Sequence, residues 1–329
     1  MDKAQLYPLR FEPIYQYRLW GGRRLASFLS APLPGDGPIG EAWALSDRTD
    51  HQSQIANGPL KGQTLAQVMK QFPESLMGKL SSRFPRFPLL LKFLDAHKML
   101  SVQVHPSDDP SELILADCTA KTEAWVVIDA EKGSQIYAGL KSGTTDGSLK
   151  ESLLDGTIAD HLVSISPKPG DAVFIPGGTV HTLGDDVLVF EVQQNSDTTF
   201  RLYDWGHIDP ETKEPRALQV DEALACTEFG ESNCGLISPR VETTSPVERA
   251  RLFDCHAFLL WRLLGKDRFT VGAKGEPRVL VGINGSGQLI YDGTLYTVGK
   301  GDVWLLPAEE GECQFQPSGK VTVLEIAIP

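Results

Sequence analysis

The segment Leu100-Ser101-Val102-Gln103-Val104-His105-Pro106 alternates in polarity. As a strand it sets Ser101, Gln103 and His105 on one face and Val102 and Val104 on the other. Phe87 to Asp95 is almost continuously apolar and reads as a buried strand. Lys92 stands alone inside it and needs an anion or a way out to solvent. Ala124 to Ile128, a turn near Lys132-Gly133 and then Gln135-Ile136-Tyr137 predict a hairpin. Strands are also predicted at Ala172 to Ile175, Val187 to Val192 and Phe200 to Asp204, the last placing Arg201 and Tyr203 on one face. Helical spacing is confined to Leu65–Met77, interrupted at Pro73, and to residues 141–165. Arg18 to Gly22 reads as a turn, and residues 209–250 read as a connection. Beyond 245 the chain is short strands with turn glycines, which predicts a mainly β protein of the sandwich or jelly-roll kind.

Two of these patterns recur. Gly133-Ser134-Gln135-Ile136-Tyr137-Ala138-Gly139 is echoed by Gly287-Gln288-Leu289-Ile290-Tyr291-Asp292-Gly293, and Pro169 to Pro176 by Lys300 to Pro307. The first copy is longer by the helical stretch. The expected organisation is therefore one barrel over residues 1–240 with an insertion at 141–165, and a second over 245–329. Length (329 residues) and a 41% hydrophobic composition are enough to fill two such cores. No apolar run approaches membrane-spanning length and no signal-peptide pattern opens the chain, which predicts a cytoplasmic protein with no membrane partner. Five scattered cysteines without CxxC spacing agree with reduced thiols. A net charge of −12 with no basic stripe argues against nucleic acid.

Chemistry concentrates in the first copy. Gln103 and His105, Lys121 and Glu123, and His181 lie on three separate strand-like segments, each bounded by glycine or proline. An N/O donor set of this kind suits a borderline divalent cation such as zinc. Taken singly, each residue reads more plainly: a lone histidine is commonly a hydrogen-bonded structural group, and Trp20 and Trp43 read as core. The repeat separates the readings. Sliding the anchors puts Pro277 at the position of Glu123 and Glu312 at that of His181, so the second copy keeps the strands and lacks the ligands.

Leu91-Lys92-Phe93-Leu94-Asp95-Ala96, Leu100 to Pro106 with Asp108, Lys121-Thr122-Glu123-Ala124-Trp125, Pro176-Gly177-Gly178-Thr179-Val180-His181 and Asp197-Thr198-Thr199-Phe200-Arg201-Leu202-Tyr203-Asp204 resemble, in this order, type I phosphomannose isomerase, shorter bacterial branch. The resemblance implies a cupin fold (a double-stranded β-helix) in two barrels, a zinc ion, and interconversion of mannose 6-phosphate and fructose 6-phosphate. Carried over by position, the metal ligands are Gln103, His105, Glu123 and His181. Arg201, Lys121 and Glu191 match catalytic positions, Lys92 and Ser101 the phosphate end, and Trp20 and Glu41 the cleft entrance. Two departures stand out: Ala120 where the bacterial pattern has glycine, and Leu183 where long forms carry an aromatic.

Such a site agrees with aldose–ketose isomerisation, in which a proton moves between C1 and C2 through an enediol whose charge must be stabilised. Glu191, a metal-bound water and a neutral Lys121 all remain open as the base. A metal-dependent cupin dioxygenase would want more histidines and no Lys121 or Arg201. A non-catalytic sugar-phosphate-binding cupin would be expected to have lost Arg201 or a ligand. The only partner implied is the sugar phosphate, with the chain a monomer or weak homodimer.

Overall fold

The computed structural model describes residues 6–108, 118–209, 212–230 and 234–329 and builds them into four β-sheets. The first inner sheet runs, in spatial order, Gly235–Leu236, Ala172–Ile175, Glu123–Ala130, Val187–Gln194, Leu89–Ala96, Ile14–Gly22 and Ile39–Leu45. A smaller sheet faces it: Phe200–Tyr203, Val102–Val104, His181–Leu183, Ile136–Leu140 and Leu162–Ile165. The carboxy-terminal half repeats the plan. Its inner sheet contains Val303–Leu306, Arg278–Asn284, Val321–Ala327 and Leu259–Gly265 in that order, and its outer sheet has four strands. Leu9–Arg10 and Arg240–Thr243 form the two edges of this second inner sheet, so the start of the chain is tied to the far half.

The two inner sheets stack back to back. One hydrophobic layer, including Phe93, Val126 and Phe190 from one sheet and Val279, Leu305 and Leu324 from the other, fills the space between them. Separate cores fill each barrel, one around Trp125 and Val189, the other around Leu289 and Phe315. An inner-sheet strand thus meets packed atoms on both faces. Leu89–Ala96 is buried at every position, Leu91 and Phe93 facing the shared layer and Leu94 the barrel. That is why it reads as an apolar run rather than an alternation. Burying each such side chain contributes about 1.5–3 kcal/mol.

Several expectations need correcting. The stretch 209–250 is more than a connection: it contains the helix Val220–Cys226 and the edge strands Gly235–Leu236 and Arg240–Thr243, too short to show a period. The predicted hairpin is absent, because Glu123–Ala130 pairs with Ala172–Ile175 and Val187–Gln194, while Ile136–Leu140 crosses to the opposite sheet. Both segments have packing faces for different layers, and the turn at Gly133 joins the layers. Arg18 to Gly22 is not a turn but the end of the strand Ile14–Gly22. The insertion is only partly helical. Asp146–Asp155 is a helix, capped at Thr145 by reciprocal bonds with Ser148 and closed by left-handed Gly156, but Leu162–Ile165 is a strand.

Register also corrects the repeat alignment by one residue. Glu123 sits between Ile175 and Gln193, and Arg278 sits in the same way between Leu306 and Ala327. Arg278, not Pro277, occupies the position of Glu123. Likewise Glu191, between Trp125 and Lys92, is matched by Glu325, between Leu280 and Trp261. The second barrel thus puts an arginine where the first has its central carboxylate.

Candidate active site

The site forms between the sheets of the first barrel. Gln103 is directly paired with His181 on one side and Arg201 on the other. Glu123 opens its strand on the facing sheet, and Glu191 lies between Lys92 and Trp125. The turn that delivers His181 needs its glycines. A Cβ on Gly177 would come within 2.4 Å of Pro106 O, and Gly178 has φ +84°. Gly178 N–H donates to His105 O at 2.8 Å, tying the two histidine segments together.

His105, Glu123 and His181 are fully buried, and one ligand atom from each falls within 4.8 Å of the others. His105 Nδ1 lies 2.9 Å from Thr198 O, and His181 Nδ1 lies 2.8 Å from Thr179 O. A carbonyl only accepts, so both Nδ1 atoms carry the proton and both Nε2 atoms offer a lone pair. Each Nε2 is 3.3 Å from a Glu123 oxygen. Acceptors therefore face acceptors, and Glu123 Oε1 has no hydrogen-bond partner among the described residues. Such an arrangement fits a cation held between them. Lys121 supplies part of the positive charge, with Nζ 2.7 Å from Glu123 Oε2 and 3.0 Å from His105 Nε2. Gln103 Nε2 lies 3.2 Å from His181 Nε2.

The charges set one another's proton affinities. Burial, aided by Lys121, pushes His105 down to about 3, so it stays neutral as a ligand must. Burial works against the charged forms of Glu123 and Lys121. Their mutual attraction outweighs it, holding the Glu123 carboxyl well below the carboxylate range and raising Lys121. Glu191 goes the other way: burial and the nearby Glu123 raise it, although Trp125 Nε1 donates to Oε2 at 2.8 Å.

Above this floor opens a cleft of about 450 Å³. Its walls include Lys92, Ser101, Gln103, Lys121, Glu191 and Arg201, together with Trp20 and Glu41. The profile described as phosphomannose isomerase type I, catalytic domain, matches residues 9–135. Mannose-6-phosphate isomerase ManA of Bacillus subtilis strain 168 is 35% identical over 317 residues, 94% of this chain and 96% of that one. The chain belongs to the type I phosphomannose isomerase family. The crystal structure of the mannose 6-phosphate isomerase from Bacillus subtilis superposes with a TM-score of 0.88 at 28% identity, covering 98% of this chain and 99% of that one. A structure of mannose 6-phosphate isomerase bound with zinc and yttrium shares the fold, with a TM-score of 0.75 at 16% identity over 97% and 99% of the chains.

The departures from the family pattern are absorbed. Ala120 does not have a positive φ, and Lys121 N–H donates to Pro106 O at 3.0 Å, so glycine is not required there. Leu183 is buried in the barrel core and forms no wall of the cleft. Tyr203 does not share the face of Arg201. A register shift between them sets Tyr203 opposite Val102, where it packs on Trp205 at 5.3 Å.

Sequence reasoning missed Arg18 and Arg216. Arg18 lines the cleft and pairs with Glu41 at 3.0 Å; with the segment read as a turn, its i, i+2 relation to Trp20 went unused. Arg216 lines the same cleft and is held by both oxygens of Asp204, with Nε 2.8 Å from Oδ2. It lies in the stretch read as a connection, where no periodicity marks it.

Proposed function

We propose that the chain interconverts mannose 6-phosphate and fructose 6-phosphate, with zinc held by His105, Glu123, His181 and Gln103. The observation that carries this reading is the convergence of two unprotonated Nε2 atoms on the Glu123 carboxylate, beneath a cleft lined by Lys121, Glu191 and Arg201. The zinc-bound structure with the same fold supports the choice of metal. Zinc in such a site supplies Lewis acidity toward the hydroxyl and carbonyl oxygens at C1 and C2.

The protein's own groups take the remaining tasks. Arg201 and Lys121 place fixed positive charge at the reacting end and stabilise the developing enediolate. Lys121, bound to Glu123, keeps its proton and serves as an electrostatic group rather than as the base. Glu191, raised by burial and close enough to the floor to line the cleft, takes and returns the proton. Ser101 and Lys92, with Trp20 and Glu41 at the entrance, hold and orient the sugar phosphate. None of the five cysteines forms a disulfide among the described residues, which supports a reducing, cytoplasmic setting; the enzyme is expected to act as a monomer or weak homodimer.

A coupled assay on mannose 6-phosphate, with metal content measured on the same samples, tests the reading. Wild type should isomerise the substrate and carry about one zinc per chain, and His105→Ala and His181→Ala should lose both. Full zinc with no isomerisation would leave a sugar-phosphate-binding protein. Unchanged zinc in both variants would overturn the ligand set.

A further inference from the structure

A second cavity, of about 500 Å³, lies where the two inner sheets meet, on the reverse side of the strands that carry Glu123 and Glu191. Its apolar wall includes Phe28, Val126, Leu188 and Leu324. Its charged lining is Arg24, Arg262 and Lys300 against a single carboxylate, Asp129. An excess of cations is unexpected in a chain of net charge −12.

These cations are only partly used by the fold. Arg24 binds Asp95 through Nε at 2.8 Å and Asp186 O through Nη1 at 3.2 Å, while its buried Nη2 has no partner among the described residues. Arg262 reaches Gly170 O at 3.4 Å and Glu248 only at 3.8 Å, and its buried Nε is likewise unpartnered. Lys300 has no ion pair among the described residues, and its Nζ stands 5.4 Å from the centre of the Phe28 ring.

We infer that this cavity binds a small organic anion, a carboxylate or phosphate ester with an apolar or ring-shaped body. Guanidinium groups recognise such oxyanions through paired N–H donors, and a cavity lined by three cations and one carboxylate favours an anion. The volume matches a small metabolite rather than an inorganic ion. The apolar wall accounts for the carbon body, and Lys300 over Phe28 sets a charge beside a ring face.

The test is a titration of benzoate and of phenyl phosphate into methyl-labelled full-length protein, with inorganic phosphate as the control. At least one organic probe should shift the Val126, Leu188 and Leu324 methyl signals saturably. Arg262→Gln and Lys300→Met should each weaken that binding by about tenfold, while kcat on mannose 6-phosphate stays at the wild-type value. A response to benzoate alone assigns a carboxylate, and to phenyl phosphate alone a phosphate ester. Absence of saturable shifts with both probes, or equal affinity in both variants, would overturn the site. Inorganic phosphate binding as tightly as phenyl phosphate would overturn the apolar-body assignment.

Discussion

Lys92 stands directly across from Glu191 on the neighbouring strand, its Nζ 3.5 Å from Oε1, with both side chains almost wholly buried. The same ammonium lies 4.9 Å from the centre of the Trp43 ring. The anion that an isolated lysine in an apolar strand calls for is thus supplied first by the protein.

Lys92→Met should consequently cost stability as well as substrate affinity. Removing one member of a buried pair leaves the other charge uncompensated, at about 3–5 kcal/mol. Thermal unfolding should show this loss, and adding Glu191→Gln to Lys92→Met should return part of it. A raised KM with unchanged melting would mean that Lys92 serves the substrate alone.

Glu41 carries an acid-stability signature. Burial would raise its carboxyl, but Lys92 and Arg18, with Trp43 Nε1 donating at 2.7 Å, bring it from the ordinary 4.5 down to about 2. The stability it contributes is complete above 4.5 and is lost as pH falls from there toward 2. Melting temperature against pH should therefore fall less steeply below pH 4.5 in Glu41→Gln than in wild type. Parallel curves would count against the assignment.

Arg201 is the sharpest test of the catalytic reading. Its Nη1 donates to Ala217 O at 2.9 Å, and its Nε is free of protein partners among the described residues. Arg201→Ala should lower kcat by about two to three orders of magnitude with zinc content unchanged. Arg201→Lys keeps the charge without the planar fork and should recover part of the loss. Near-wild-type kcat in Arg201→Ala would make the arginine structural.

The shared layer between the inner sheets predicts cooperative unfolding. Calorimetry should record one transition for the whole chain, and a fragment of residues 1–240 should fail to fold, because it exposes Val126 and Phe190. Two resolved transitions, or an active fragment, would show that each barrel stands alone.

Much of the site was legible because its chemistry sits on alternating strands. Ser101 and Gln103 were separable from Val102 and Val104 by periodicity, and the structure agrees: the first two line the cleft and the valines enter a separate core. Which strands would be neighbours was not legible. Residues 124–128 and 136–140 follow one another like a hairpin, and only the choice of layer, made by distant partners such as Phe174 and Phe253, sends them apart. Arg216 depends on Asp204 across an irregular segment, and such pairs leave no period to read.

The back-to-back inner sheets also bear on how the chain tolerates change. A substitution on Leu89–Ala96 or Val187–Gln194 disturbs either a packed layer or the wall of the cleft, whichever way the side chain points, so neither face offers room for neutral drift. The outermost strands, such as Thr294–Val298 with Leu295 largely in solvent, carry no such double restriction. Mutational freedom in this enzyme should be graded by layer, least in the middle of the stack and greatest at its two ends.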